Sequence, residues 1–542
     1  MNKIVEKTKQ FIFAKQSDIF SSAMILSAMI LISSFFGFLR FRILSGFFSK
    51  EQLDIFFASF RIPDLVFEIL ITGALTSTFI PIFIKYKGNE EQLRKNISSI
   101  INIILILLLL FVAVLFIGMG VLIPLITPGM DQQRTEYVIY FSRLLLVGQL
   151  PFLIIGNILT GIGQANKRFF LSALAPIVYN LSIIVATILF APSLLLLAPV
   201  IGVVGGALLF LFLQLPLIWD SGYRYQWVIE KTEGLKEFVR IIIPRTLTVV
   251  VAQIDATIDL TLTTLLGAGS YTIFYLAQRL QLLPVSVIGI AFGQASLPYL
   301  TEVYQADKRE EFKKIVVDSI LNLFFFTIPI ASFFIFARTP IVRLFFGGQK
   351  FDWDATVSTA ITLSYFSVSL PFHTIYYFLT RCFYATLDTR TPFYISVVSI
   401  AINTLLSIIF VLILKLPVWF LSISFSISMI INVTILFIIL SSKIKGFAYR
   451  FLAVETGKML VATAIPSVIV YYLMKFMDEL IFDTSFTLNV LMLLFSGLII
   501  YFLLYIFLSW LLDVKEIYLV SKLIVKAKEY RQKIVEFYTS YE

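Results

Sequence analysis

The sequence predicts an all-α polytopic membrane protein of about fourteen transmembrane helices, with two pseudo-symmetric six-helix bundles plus two C-terminal helices. Three observations predict it. The 542 residues are 59% hydrophobic and 14% charged, with a mean hydropathy of +0.93, whereas soluble domains carry about 25% charged and about 45–50% apolar residues. Apolar runs recur along the whole chain, each near the roughly 20 residues that cross a hydrocarbon core of about 30 Å. Lys and Arg then cluster in every second connection between those runs. A water-soluble enzyme is excluded.

The runs centre near residues 32, 70, 110, 147, 182, 208, 250, 286, 325, 367, 403, 428, 464 and 498, the plainest being Ile101–Leu125 and Leu488–Leu512. They are continuous, so they read as helices; a β-barrel would show short alternating segments. Residues 1–18 are basic and moderately amphipathic and read as an uncleaved cytoplasmic segment. Residues 19–220 hold the first six spans and 221–240 a cytoplasmic linker with Arg224, Lys231, Lys236 and Arg240. Residues 241–442 hold the next six spans and 451–512 the last two. The segment 513–542 reads as a charged helix on the cytoplasmic membrane surface. The other basic connections carry Lys85 to Lys95, Lys167 with Arg168, Lys308 to Lys314, Arg381 with Arg390, and Lys443 to Arg450. This alternation places both termini in the cytoplasm. Trp219, Trp353, Trp419 and Trp510 fall near span ends, where an indole rests at headgroup level.

Composition removes most chemistry. One His and one Cys cannot build a His- or Cys-ligated metal centre or a disulfide framework, and Cys382 reads as a buried small residue. The net charge of +10 lies mostly in short loops, which argues against a nucleic-acid partner. No loop is long enough for a catalytic domain, and neither a GxGxxG nor a Walker pattern occurs, so the chain reads as a non-enzyme not driven directly by ATP.

Two segments recur. Leu159-Thr160 through Asn166-Lys167-Arg168, followed by Asn180, resembles Leu379-Thr380 through Asp388-Thr389-Arg390, followed by Asn403; Arg61…Gly73…Pro81 resembles Arg279…Gly289…Pro298. The offset is about 220 residues, or six spans, which preserves orientation and suggests parallel halves, a known transporter design.

Ionised groups at membrane depth cost about 2.5–3.5 kcal/mol each on insertion scales and mark wet cavities or pairs. Arg61, Asp64, Glu68 and Thr72 stack along one side of the second span, beside Pro63, Gly73 and Pro81. They suit either a water-filled cavity or an Arg61–Asp64/Glu68 salt-bridge set. Arg40 lies one turn from Gly37 and points to the cavity, whereas Arg42 snorkels. In the seventh span Thr248, Asp255, Asp259 and Thr263 share a face; two carboxylates four residues apart require a proton, a cation or an Arg such as Arg279, beside Gln278 and Gln281. A coupling-ion site with Asn403 as a further oxygen donor and a structural ion pair both satisfy this. His373 is an isolated imidazole, read as a hydrogen-bonded packing residue in preference to a proton relay.

At this point the residues point to a family. Ser33-Ser34-Phe35-Phe36-Gly37-Phe38-Leu39-Arg40, Leu53-Asp54 through Arg61-Ile62-Pro63, and Gly73-Ala74-Leu75-Thr76-Ser77-Thr78-Phe79-Ile80-Pro81 resemble the opening of the MurJ (MviN) lipid II flippases, in the multidrug/oligosaccharidyl-lipid/polysaccharide exporter superfamily. Gln278-Arg279-Leu280 leading to Gly289 and Leu297-Pro298, and Phe383-Tyr384 through Asp388-Thr389-Arg390-Thr391-Pro392, are similar to later parts of that family. The resemblance runs from about residue 20 to 440. It implies that Arg40, Arg61 and Arg279, with Asp54, line the substrate site, and that the cations hold the pyrophosphate of a lipid-linked disaccharide-pentapeptide; Glu68, on the polar stripe of the second span, and Gln278, beside Arg279, are read as substrate-binding too. Guanidinium forks match phosphate oxygens bidentately. It also implies a prenyl-tail groove at the last two spans, and Asp259 near a sodium site. The sequence departs from the family pattern at Ser34, Phe67, Glu68, Thr72 and Gln278 and so has fewer cations.

The resulting expectation is a monomeric flippase of the bacterial cytoplasmic membrane, moving lipid II outward by alternating access. It has no cofactor beyond a coupling Na⁺ or H⁺, and cell-wall synthesis proteins are its expected partners. The alternatives are a flippase for another undecaprenyl-linked oligosaccharide, a MATE-like drug or cation antiporter, and a non-transporting scaffold.

Overall fold

The computed structural model describes residues 19–72, 79–168, 170–219 and 223–519. The expected N-terminal segment 1–18, the Gly73–Thr78 stretch and the tail beyond Leu519 lie outside them. All regular structure among the described residues is helical, and helices occupy every apolar run. They are α1 Ile19–Phe47; α2, built of Lys50–Ser59, Arg61–Phe67, the π-helical turn Glu68–Thr72 and Ile80–Tyr86; α3 Glu90–Ile126; α4 Gln132–Ala165; α5 Phe170–Leu194; α6 Leu197–Ile218; and α7 Glu233–Leu265. There follow α8 Ser270–Gln305, α9 Arg309–Phe336, α10 Trp353–Ala385, α11 Arg390–Ile413, α12 Trp419–Lys443, α13 Tyr449–Leu480 and α14 Thr487–Leu511. Among the described residues, ten of these are long and apolar enough to cross a membrane on those grounds alone: α3 to α6, α8, α9 and α11 to α14.

The internal repeat is visible in the backbone. Lys167 after α4 and Leu387 after α10, 220 positions apart, both adopt left-handed φ, 60° and 59°. In both turns the following N–H bonds back five residues, Arg168 to the Gly163 carbonyl (2.9 Å) and Asp388 to that of Phe383 (3.0 Å), which satisfies carbonyls a helix end leaves open. The two arginine-bearing helices also match: α2 turns π-helical at Glu68–Thr72, after Arg61, and α8 at Val285–Ile290, after Arg279. Such single π-turns are often found at functional positions.

The described residues form two compact units. The first runs to Ile273 and includes Phe345–Ala355; the second holds Phe274–Leu344 and Thr356 onward. The boundary differs from the lobes expected at 19–220 and 241–442, because α7 packs within the first unit. Its Gly234 N–H donates to Asn96 Oδ1 of α3 (2.8 Å), and its Thr261 hydroxyl to the Ile126 carbonyl (3.0 Å). Elsewhere in this unit small residues let backbones approach. A Cβ on Gly202 of α6 would meet Ile183 Cα of α5 at 2.8 Å, and the Ser182 hydroxyl donates to the Gly202 carbonyl.

The described part of the linker, 223–232, is an extended strap fastened to a polar stripe on α3. Asn102, fully buried, donates to the carbonyls of Gln226 (3.3 Å) and Val228 (2.8 Å) and accepts from the Tyr225 hydroxyl (2.6 Å). Ser98 accepts from Gln226 N–H, and Ser99 donates to the Glu230 carbonyl. These bonds replace the ladder that extended backbone lacks. Asn102→Ala removes three of them at a buried site, where stranded partners cost about 1–3 kcal/mol. Trypsin cleavage at Arg224 and Lys231 is expected to accelerate roughly tenfold in the variant, read by mass spectrometry of limited digests.

In the second unit, Phe325, Phe378, Leu379, Cys382, Phe383, Leu436 and Tyr505 belong to one buried cluster, as expected for the lone cysteine. Pro329 in α9 has no N–H, so the Phe325 carbonyl four residues earlier loses its helical partner. The Tyr505 hydroxyl of α14 donates to that carbonyl at 2.8 Å, and Tyr501 to the Pro329 carbonyl at 3.1 Å. The start of the expected tail is pinned too: Lys458 Nζ donates to the Asp513 carbonyl, and Lys515 pairs with Asp318 of α9 at 3.4 Å.

Candidate functional site

Arg61 starts the second segment of α2, where Phe60 interrupts the helix. It is 9% exposed. Its Nε donates to Thr257 Oγ1 (2.9 Å) and its Nη2 to both the carbonyl and the side-chain oxygen of Gln253 (2.6 Å each), all on α7. Neutral oxygens on α7 therefore hold this guanidinium, rather than the Asp64/Glu68 pairing considered above. Asp259 is buried, and the charges that act on it are the like-signed Asp255 and the opposite Arg61. Arg61 thus serves α7, as hydrogen-bond donor and as charge for its carboxylate pair. Glu68 is half-buried at the first position of the π-turn; the side chains of Thr72 and Thr248 lie outside the described residues.

Asp54, expected among the cargo-contacting groups, has a different task. It is 2% exposed, and its carboxylate accepts the backbone N–H of Gly269 (2.5 Å) and of Thr272 (2.7 Å). Those N–H groups are orphan donors at the start of α8, where a negative charge also complements the helix dipole. The Thr272 hydroxyl donates to the Lys50 carbonyl, and the Lys50 ammonium bonds Asp354 (2.9 Å) and Asp352 (3.3 Å). A Cβ on Gly348 would lie 2.6 Å from Gly46 Cα. One end of the unit is therefore closed by backbone contact and a three-residue ion cluster.

Arg40 of α1 is half-buried, with its guanidinium carbon 4.7 Å from the centre of the Phe41 ring. One turn earlier Gly37 faces Asn180 of α5, whose amide nitrogen a Cβ there would meet at 4.0 Å.

The second unit holds Arg279, Gln278 and Asn403. Arg279, in the first third of α8, is exposed, donates to the Tyr275 hydroxyl at 2.9 Å and lies 4.8 Å from that ring's centre. The tyrosine, one turn away, orients the guanidinium. Gln278 is half-buried. Asn403, 3% exposed, accepts from Ser424 of α12 at 3.0 Å. His373 packs, as read from the sequence: its ring stacks on Tyr377 (5.5 Å, 16°), and its Nδ1 is 3.3 Å from the Gln281 amide. At the α10–α11 turn, burial pushes the Asp388 carboxyl up, but hydrogen bonds from Thr391 N–H, Thr391 Oγ1 and Lys443 outweigh it and hold the group below the usual carboxylate range.

An apolar groove of about 340 Å³ runs between α9, α10 and α13, walled by Phe324, Ile328, Phe372, Leu460 and Ala464. Most of its lining comes from α9 and α10 and the rest from α13, within the 451–512 stretch where the resemblance puts a prenyl-tail groove. Gln253 and Thr257 were missed as partners of Arg61, although their spacing of four, continued by Thr261, marks a second polar face on α7.

Residues 43–492 match a family model described as lipid II flippase MurJ. A relative named probable lipid II flippase MurJ, from Borreliella burgdorferi, is 27% identical over 498 residues, covering 88% of this chain and 94% of its own length. Among solved structures, a lipid II flippase MurJ in an inward closed conformation superposes with a TM-score of 0.73 at 23% identity, over 90% of this chain and all of that one. An inward-facing MATE-family multidrug transporter of the MOP superfamily gives 0.64 at 15% identity, over 78% of this chain and 98% of that one, a likeness of fold alone.

Proposed function

The chain belongs to the lipid II flippase MurJ family, and we infer from this that it carries lipid II, the undecaprenyl-pyrophosphate-linked disaccharide-pentapeptide, from the inner to the outer leaflet of the bacterial cytoplasmic membrane. The observation that carries the reading is Arg279: an exposed guanidinium at membrane depth, held ready by Tyr275. A cation there costs several kcal/mol unless it meets an anion or water, and a diphosphate is the anion a planar fork suits. In the first unit Arg40 is assigned a diphosphate contact of its own, and in the second Gln278 stands beside Arg279 as a neutral donor. Glu68 is assigned to the site as well, and its charge sets where the diphosphate cannot settle. Arg61 acts from behind, by setting the charge on α7.

The apolar groove by α13 takes the prenyl chain, so the tail stays in a lipid-like surrounding while the head group crosses. Asp255 and Asp259 are the place for a coupling Na⁺ or H⁺, two carboxylates one turn apart that act on each other. Both termini stand in the cytoplasm, and the protein works as a monomer beside wall-synthesis proteins. Net charge moved across the field is worth about 2.3 kcal/mol per charge per 100 mV, enough to reset the empty carrier.

Replacing a cell's sole lipid II flippase by this chain tests the reading. Growth and labelling of lipid II at the outer leaflet are expected. Good membrane abundance with no outer-leaflet label overturns it, in favour of another undecaprenyl-linked glycan.

A further inference from the structure

A second cavity, of about 250 Å³, lies within the first unit between α1, the end of α4 and the start of α5. Ser33 and Ser34 of α1, Gln164 of α4 and Ser172 of α5 supply its polar wall, and Met29 and Pro176 its apolar one; none of its lining residues is charged. Ser172 is 8% exposed, and its hydroxyl oxygen is buried with no hydrogen-bond partner. A buried hydroxyl left so costs about 1–3 kcal/mol. Such a group at the wall of an open cavity is explained by a ligand that completes it. Ser34 is exposed and Gln164 half-buried, so the polar wall is reachable.

Resting on the flippase reading above, we propose that this cavity is a neutral polyol subsite that binds a sugar of the cargo's head group. Hydroxyls and a carboxamide each donate and accept, which is what sugar hydroxyls require. Met29 and Pro176 offer C–H surface to the apolar face of a pyranose ring. An uncharged wall offers a diphosphate no countercharge. Ser33 stands seven residues before Arg40 on α1, hence on the same face and about 10 Å along the axis. That is the reach of a disaccharide whose diphosphate sits at Arg40. The cavity thus converts part of the binding energy into a choice of glycan, with the guanidinium serving any diphosphate lipid.

Binding of two lipids to the purified full-length protein tests this, by native mass spectrometry: undecaprenyl-pyrophosphate-linked disaccharide-pentapeptide, and undecaprenyl pyrophosphate without sugars. The wild type is expected to prefer the glycosylated lipid. Ser172→Val and Gln164→Leu should each cut that preference roughly fivefold, about the worth of one neutral hydrogen bond, and leave the bare lipid's affinity unchanged; Ser172→Thr should restore it. Variants that keep the full preference, or weaken both lipids alike, overturn the subsite and leave the flippase reading standing. A wild type that binds neither lipid overturns both. Phosphatidylglycerol retained by the wild type and lost from Ser172→Val, with glycan preference intact, also overturns it, by assigning the cavity to a bilayer lipid's glycerol.

Discussion

Arg279→Ala is expected to slow outward transfer of lipid II by roughly 10- to 100-fold at unchanged membrane abundance, because a charge-assisted hydrogen bond is worth about 1.5–3 kcal/mol. The side chain is exposed, so its loss leaves no cavity in the packed core. Arg279→Lys should retain the charge and lose the bidentate fork, giving an intermediate rate. Tyr275→Phe keeps the ring and removes the hydroxyl, and should cost less than Arg279→Ala. The measurement is the rate of lipid II appearance in the outer leaflet, normalised to protein in the membrane. Unchanged rates for Arg279→Ala would assign α8 a scaffolding role.

Gly129→Ala carries the largest expected structural effect. A Cβ at this residue would lie 1.9 Å from the Thr264 carbonyl oxygen and 2.3 Å from its carbon. Both are backbone atoms at the C-terminal turn of α7, so no side chain can rotate away. The loop after α3 must lift, breaking the Thr261–Ile126 bond nearby. Overpacking of this kind typically costs about 1–3 kcal/mol and occasionally more. A clear fall in thermal stability is expected, read by fluorescence-detected size exclusion after heating. Gly120→Ala, in α3 with nothing within 4 Å of its Cβ, is the control; better helix propensity should leave it as stable or slightly more so. Equal behaviour of the two variants would contradict the close approach of α3 and α7.

Much of the architecture was legible because hydrophobic length is a strong signal. Every apolar run became a helix, and Trp219, Trp353, Trp419 and Trp510 stand at or near helix ends. The repeat was legible for a related reason: Lys167 and Leu387 occupy equivalent left-handed turn positions although their side chains share nothing. The unit boundary was not legible, since it depends on where α7 docks, and Gly234 and Thr261 look unremarkable in sequence. Site residues divide the same way. Spacing showed that Arg61, Asp255 and Asp259 lie on polar faces, but not that Gln253 and Thr257 would take up Arg61. Asp54 carried the signature of a functional acid, yet its partners are two N–H groups more than 200 residues away; backbone donors leave no mark in a sequence. Ser172 was invisible for the opposite reason, because a serine in an apolar helix usually bonds back to its own backbone.

Transfer of lipid II in vesicles that contain this chain as their sole protein tests the central claim most directly. Guanidinium capture of a diphosphate predicts rapid movement of lipid II to the opposite leaflet, inhibited competitively by undecaprenyl pyrophosphate and reduced at least tenfold by Arg279→Ala. Movement at the protein-free rate, or movement indifferent both to the competitor and to the arginine, would contradict it.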